Sequence, residues 1–492
     1  MSGWTLRGLA DALPDCRAAG DAPVPALAID SRAVTPGALF AALPGSRADG
    51  RAFVADALAR GAAALLLPAD AAPPPDVPCL LCERPREAAG RAAQLLAGDP
   101  TRRLRLLGVT GTNGKSTCVH LLQWLLDEPG APWGRLGTLA FAAGAAERPS
   151  THTTPDPVAL ASLLAESAAD GRAGVAMEVS SHALDQDRVA GCRFAGVLAT
   201  NLSRDHLDYH GTLADYFAAK ARLLDLRAPG APALLNADDP WFARLLADAA
   251  PGEGPRLAYG RAAGADYRCE VLGSGLGGAR FRLHGPGGAR EYASPLLGAF
   301  NVDNAVGCLA LTLALGADAD VLAERLARFP GVPGRLERVD LPGGPAAVVD
   351  YAHTPDAVAK VLAALRPLCD GALAVVLGAG GDRDHGKRPL MGAAAQAGAD
   401  RVWLTSDNPR SEDPAAILAE MEKGMDPAAG SWQKEVDRAR AIGAALAASG
   451  PDDLVAVLGK GHEEYQEIEG RRLPFSDREV LRAVWREGGG SA

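Results

Sequence analysis

One short stretch constrains the fold of this chain more than any other. Leu104-Arg105-Leu106-Leu107-Gly108-Val109-Thr110 reads as an apolar strand, Gly111-Thr112-Asn113-Gly114 as a turn, and Ser116 to Asp127 as a helix. Strand, tight Gly-rich turn and helix in that order form the unit of a parallel sheet, because parallel strands need a crossover between them. The turn also aims backbone N–H groups and a helix N-terminus at one point in space, which is where an anion binds. Lys115 can reach the outer phosphates of a nucleotide, and the Ser116 hydroxyl can ligate Mg²⁺. Gly111, Thr112, Asn113, Gly114, Lys115, Ser116 and Thr117 are therefore the candidate nucleotide-binding residues. The strict pattern GxxxxGK[ST] would need glycine at position 109, which is Val109; Gly108 lies one place off, and Gly111 makes a tighter variant. Trp124, at helical spacing beyond the loop, reads as core.

The rest of the chain fits an α/β protein of about three domains, since 492 residues at roughly 150 per domain give that number. Short strands alternate with Ala-rich helices from Ala26-Leu27-Ala28-Ile29 onward, and Pro68 to Pro78 reads as a surface loop. The same alternation continues to about Leu326, and again from Ala346-Ala347-Val348-Val349 to the end. The Pro/Gly punctuation of Phe329 to Gly334 marks a boundary, so the expected division is 1–103, 104–333 and 334–492. The formal charge of −10 argues against a general nucleic-acid surface. No apolar run approaches the ~20 residues of a membrane span, and no secretion signal opens the sequence, so a cytoplasmic protein is expected. Eight cysteines do not make a disulfide framework, and Cys79-Leu80-Leu81-Cys82 reads as a buried structural pair rather than a zinc or redox site. Only seven of the fifty cations are lysines, and four of them (Lys115, Lys220, Lys387 and Lys460) lie inside motifs.

Those motifs form an ordered set. After Thr110 to Thr117 come Met177-Glu178-Val179-Ser180-Ser181-His182, Thr200-Asn201-Leu202-Ser203-Arg204-Asp205-His206, Ala218-Ala219-Lys220 and Gly298-Ala299-Phe300-Asn301-Val302-Asp303-Asn304. Gly334-Arg335-Leu336-Glu337 and Asp350-Tyr351-Ala352-His353 follow. Together they resemble the Mur ligases of peptidoglycan synthesis, and within them the members that add the third residue of the peptide. The resemblance runs from about Asp30 to Asp477. It implies an N-terminal UDP-binding α/β domain, a central P-loop ATPase domain with a mainly parallel sheet, and a C-terminal Rossmann-like domain.

The resemblance also implies a reaction. ATP phosphorylates the D-Glu γ-carboxylate of UDP-N-acetylmuramoyl-L-Ala-D-Glu, and an amine attacks the acyl phosphate. Lys115, Glu178, His206, Lys220 and Asp350 would be catalytic. Mg²⁺ would be held by Ser116, Glu178, His206 and Lys220, the last as N6-carboxylysine, a carbamate formed from CO₂. Carbamylation needs a neutral amine, which a desolvated, cation-rich site favours. Without the resemblance, Glu178 would read as a strand-end carboxylate and Lys220 as a solvated cation. Asn301, Asn304 and Arg335 would contact the nucleotide, Arg335 entering when the domains close. Ile29, Ser31, Ser46, Arg47, Ala48, His152, Thr153, Thr154, Ser180, Gln186 and Arg188 would hold the muramyl dipeptide, although His152 departs from the Asn seen in some members.

The incoming amine is expected to be meso-diaminopimelate, because Asp407-Asn408-Pro409-Arg410 resembles the signature of diaminopimelate-adding members. Its far carboxylate needs a fixed cation, and a guanidinium supplies a bidentate one. Arg410 would be that cation, Arg388 would hold the near carboxylate, and Gly459 and Glu463 would read the distal group. A monomer is expected, binding neither nucleic acid nor membrane. The competing readings are an L-lysine-adding enzyme, another Mur or folylpolyglutamate-type ligase, and a non-catalytic nucleotide-gated scaffold.

Overall fold

The computed structural model describes residues 3–45, 49–144, 147–150, 152–247 and 254–488. Its contacts divide the chain into two compact units. The first comprises Met1–Cys269, Leu283–Ala289 and Asn304–Leu322, and the second Glu270–Arg282, Arg290–Asp303 and Ala323–Ala492.

The first unit contains two sheets. The N-terminal one has five strands in the order Cys16–Ala19, Cys79–Cys82, Ala64–Pro68, Leu39–Ala41, Leu27–Ala28. Its core does not close on itself: Ala161 and Val158 of the helix Pro157–Ala169 pack into it beside Ala89 and Ala92 of the helix Pro85–Leu96. The two sheets thus share apolar surface. In the middle sheet the strands Ala233–Asn236, Phe194–Ala199, Arg105–Thr110, Gly174–Glu178 and Trp133–Leu136 lie side by side and all parallel. Both faces of such strands are covered, so Arg105–Thr110 is buried at every position after Arg105. Gly108 belongs to this strand and not to the turn. A Cβ there would stand 2.8 Å from the Phe194 ring. The expected alternation breaks down after residue 266, where Tyr267–Gly275, Gly278–Gly285 and Gly288–Ser294 follow one another with no helix between.

The second unit carries a six-stranded sheet in the order Glu337–Val339, Ala346–Asp350, Leu454–Leu458, Leu373–Ala379, Arg401–Ser406, Ser431–Lys434, parallel except at the first pair. Two of its helices start at Pro preceded by a capping oxygen, at Thr354-Pro355 and Asp413-Pro414, where the cap satisfies an amide the helix cannot. The unit is pinned by a fully buried ion pair. Arg438 Nε and Nη2 donate to the two carboxylate oxygens of Asp477, both at 2.7 Å, and the guanidinium also donates to the Ser406 and Leu458 carbonyls.

Two expectations change. Cys79 and Cys82 are both buried but are not partners of each other; Cys82 is disulfide-bonded to Cys16, and the Cys79 thiol is free. Cys16 and Cys82 stand directly opposite in an antiparallel pair with Cα atoms 4.2 Å apart, a neighbour that strand spacing alone does not reveal. Trp124 is 38% exposed on the helix Lys115–Leu126 and is not core. No described helix is long and apolar enough to cross a membrane.

Removing one partner of a buried pair leaves an uncompensated charge, at a cost of about 3–5 kcal/mol. Asp477→Ala is therefore expected to lower the urea midpoint of the second unit by that equivalent. A midpoint unchanged within error would show that the pair is not holding the unit together.

Candidate active site

The phosphate loop is built by close approach. Gly111 and Gly114 have φ of +144° and +89°, and a Cβ at either would collide with a side chain, Thr200 in the first case and Asn304 in the second. The turn is then tied to the end of the neighbouring strand. Thr112 N donates to the Asn201 carbonyl at 2.7 Å, Asn113 N to Asn201 Oδ1 at 3.1 Å, and Thr200 Oγ1 to the Asn113 carbonyl at 2.6 Å. Lys115 Nζ lies over the loop, donating to the carbonyls of Gly111 and Thr112 at 2.9 Å. Thr117 is buried one turn into the helix.

Glu178, at the C-terminal end of its strand and 2% exposed, accepts from Ser116 Oγ at 2.9 Å and from the Thr138 amide at 2.8 Å. Two hard oxygen donors beside a phosphate loop suit Mg²⁺, which is commonly held by one carboxylate with the remaining positions taken by water and substrate phosphates. Lys220 is 1% exposed and donates to the Gly111 carbonyl at 2.8 Å. Burial, reinforced by the Lys115 charge, pushes its pKa well below the ordinary lysine value. An amine so placed sheds its proton readily and is then neutral. Both Lys220 and His206 border the Tyr216 ring, the ammonium 4.4 Å from its centroid and the imidazole 6.1 Å. His206 itself is in the left-handed region at φ 51° and half exposed. His182, against Tyr209 and His206, is held near pKa 4, chiefly by burial and then by the neighbouring imidazoles.

The other sites predicted in this unit converge from Glu178. Thr154 Oγ1 donates to the Glu178 carbonyl at 2.9 Å and accepts from the Ser180 amide at 3.0 Å, and Thr153 Oγ1 accepts from Thr138. Arg188 donates to the Thr154 carbonyl at 3.1 Å and to Gln186 Oε1 at 2.7 Å. Ile29, Ser31, His152, Gln186 and Arg188 line one cavity of about 800 Å³. Ser46, Arg47 and Ala48 lie outside the described residues. Asn304 is buried against Gly114.

In the second unit, Asn301 is buried and donates to the Leu297 carbonyl. Asp350 accepts from the Leu336 and Ala352 amides at 2.7 and 2.8 Å, while burial raises its pKa against the pull of Arg335. The Arg335 guanidinium lies 5.1 Å from the Tyr351 ring centroid. The Asp407–Arg410 turn meets the Gly459–Glu463 turn. Asn408 Nδ2 donates to Glu463 at 2.7 Å, Lys460 Nζ bridges Asn408 and Glu463, and a Cβ at Gly459 would stand 2.6 Å from Asp407. Arg410, at φ 53°, donates to the Gly381 carbonyl at 2.6 Å.

Arg388 does not fit its expected role. It is fully buried, its Nη1 donates to Glu412 at 2.8 Å and to Glu420 at 2.9 Å, and its Nη2 donates to Glu412 at 2.8 Å. Two carboxylates already offset that charge, so it is an internal tie. The residue missed is Arg383. It is exposed in the same loop, and its Cγ and Arg410 Nη1 are both within 4 Å of where a Gly380 Cβ would stand. Its signal was a second arginine in Gly381-Asp382-Arg383-Asp384.

The fold and loop define an α/β nucleotide-binding protein. Family models match along most of the chain: Mur ligase family, catalytic domain over residues 23–93, Mur ligase middle domain over 109–312, and Mur ligase, glutamate ligase domain over 334–461. The chain belongs to the Mur ligase family. It is similar to the UDP-N-acetylmuramoyl-L-alanyl-D-glutamate–2,6-diaminopimelate ligase of Alkalilimnicola ehrlichii, 47% identical over 98% of this chain and 99% of the relative. The enzyme of that name from Pseudomonas aeruginosa is 45% identical over 92% and 93%. A solved structure of such a ligase superposes with a TM-score of 0.72 at 36% identity, covering 95% of this chain and 96% of the other.

His462, half-buried near Arg335, is also held near pKa 4, first by desolvation and then by that guanidinium. A folded value below the ordinary 6.5 means the unfolded chain binds the proton more tightly, so this group's contribution is intact above pH 6.5 and is lost as pH falls toward 4. His462→Gln is expected to flatten the fall in urea midpoint between pH 7 and pH 5. A fall as steep as in the parent would place the acid sensitivity elsewhere.

Proposed function

We propose that this chain is the ATP-dependent ligase that joins meso-diaminopimelate to the D-Glu γ-carboxylate of UDP-N-acetylmuramoyl-L-Ala-D-Glu, in the cytoplasm and as a monomer. The observation that carries the reading is the convergence of Lys115, Ser116, Glu178 and the desolvated Lys220 on one loop carbonyl and one carboxylate. The two long relatives named for this reaction support the substrates. In this reading 1–103 holds the UDP-linked precursor, 104–333 the nucleotide, and 334–492 the amino acid.

The chemistry asks an anion to attack a polyanion, so charge must be offset before oxygen reaches phosphorus. Ser116 and Glu178 would hold one Mg²⁺, and His206 with carbamylated Lys220 a second, and these ions would supply part of that offset. Lys115 and the amides of 111–117 supply the rest from a preorganised, partly dry site. Thr153, Thr154, Ser180, Gln186 and Arg188 orient the acceptor carboxylate toward the loop, and Asn301, Asn304, Arg335 and Asp350 hold the nucleotide. Arg410, with Arg383 beside it, holds the diaminopimelate carboxylates against the Asn408–Glu463 pair, so that the amine, once it has given up its proton to solvent, is positioned to attack the acyl phosphate and displace phosphate.

Lys220→Ala is expected to cut turnover by about 10²–10³-fold, the size associated with one lost preorganised group, and to recover partly with a small carboxylic acid at high concentration. Full activity without additive would remove the carbamate from the mechanism. Arg410→Ala and Arg383→Ala should each raise KM for diaminopimelate about 10- to 100-fold, the equivalent of a charge-assisted hydrogen bond of about 1.5–3 kcal/mol, with KM for ATP unmoved. Equal use of lysine and diaminopimelate by the parent protein would favour a lysine-adding enzyme instead.

A further inference from the structure

The wall of the 800 Å³ cavity contains three carboxylates and three guanidiniums that behave very differently. Every carboxylate is already engaged. Asp30 is gripped by Arg32 through Nη2 at 2.7 Å, Asp56 accepts from Arg60 at 3.0 Å, and Asp156 caps a helix by accepting from the Val158 and Ala159 amides. Just outside the wall, Asp187 is ion-paired with Arg222, and Glu87 with Arg84 and Arg91. Two guanidiniums are not so matched. Arg188 donates only to neutral acceptors, Gln186 Oε1 and the Thr154 carbonyl, and Arg86 donates to the Pro44 carbonyl at 2.6 Å. Neither has an ion-pair partner among the described residues. Both are half-buried, and each raises the cost of the other's charge: burial and the nearby Arg86 lower the proton affinity of Arg188, with Asp156 as the counterweight.

A cavity that keeps two unpaired guanidiniums while tying up all its carboxylates is preorganised for an anion of more than one charge. The rest of the lining says which anion. It includes the apolar Ile29, Phe40, Leu43 and Phe53, which suit a flat base, together with His152 and Gln186. Arg86 stands in the first turn of the twelve-residue helix Pro85–Leu96, whose N-terminal amides add positive potential. We infer that Arg86 is a binding residue for the pyrophosphate of the uridine-linked substrate, the same precursor whose acceptor carboxylate Arg188 holds. This rests on the function proposed above. The bond to Pro44 fixes the guanidinium's direction and leaves Nε and Nη1 for phosphate oxygens.

The test compares Arg86→Gln, which keeps a donor for the Pro44 carbonyl but loses the charge, with Arg86→Lys and Arg86→Ala. Arg86→Gln is expected to raise KM for the muramyl dipeptide and Kd for uridine diphosphate by tenfold or more, leaving Kd for uridine, KM for ATP and kcat near parent values. Arg86→Lys should recover part of the loss. The inference is overturned if Arg86→Gln matches the parent while only Arg86→Ala is impaired, since Arg86 would then merely hold Pro44. It is equally overturned if KM for the precursor rises while uridine diphosphate binds unchanged, which would move the contact to a peptide carboxylate. A parent protein that binds uridine diphosphate but does not turn over the precursor would instead sink the proposed function and leave this contact standing.

Discussion

The nucleotide end of the first unit depends on how tightly residues 111–114 are pressed onto the end of the strand Phe194–Ala199. Hydrogen bonds to Asn201 and from Thr200, Asn201 and Lys220 hold that loop, and two glycines are needed because a Cβ at either position would strike Thr200 or Asn304. Once the loop is fixed, Lys115, Ser116 and Glu178 have few other places to be. The electrostatics follow from the packing: Lys220 is desolvated because the loop and Tyr216 cover it, and desolvation makes its amine available for chemistry.

The second unit solves a different problem, which is placing many charges in a small volume without leaving one bare. Arg438 and Asp477 neutralise each other in the core, and Arg388 is neutralised by Glu412 and Glu420. Arg410, whose Nε is 3.6 Å from Glu467, and Arg383 sit near one another at Gly380. The fold thus separates a guanidinium held by two carboxylates, Arg388, from one with a single, longer ion pair, Arg410.

Much of the site was legible because its residues are adjacent in sequence or fall at strand ends. The loop from Gly111 to Thr117 and the place of Glu178 at the end of an apolar strand follow from local pattern, and the resemblance put Asp407–Arg410 and Gly459–Glu463 into one expected site; that the two segments meet is a tertiary outcome. The failures share one cause. Arg388 and Arg383 look alike in sequence, and only their neighbours 24 to 32 residues away separate them. Cys82 pairs with Cys16 rather than with Cys79 through cross-strand register. Trp124 follows helical spacing, yet which helix face is covered depends on what packs there.

The amino-acid sequence by itself determined the α/β class, the phosphate loop and its lysine, since these rest on period, turn chemistry and helix geometry within a few residues. Tertiary structure alone decided which charges are spent inside the protein and which face a ligand, which lysine loses its water, and that the N-terminal sheet completes its core with a helix of the middle segment. Those outcomes depend on burial and pairing between residues distant in the chain, and Coulomb and desolvation energies are functions of distance in space, not along the sequence.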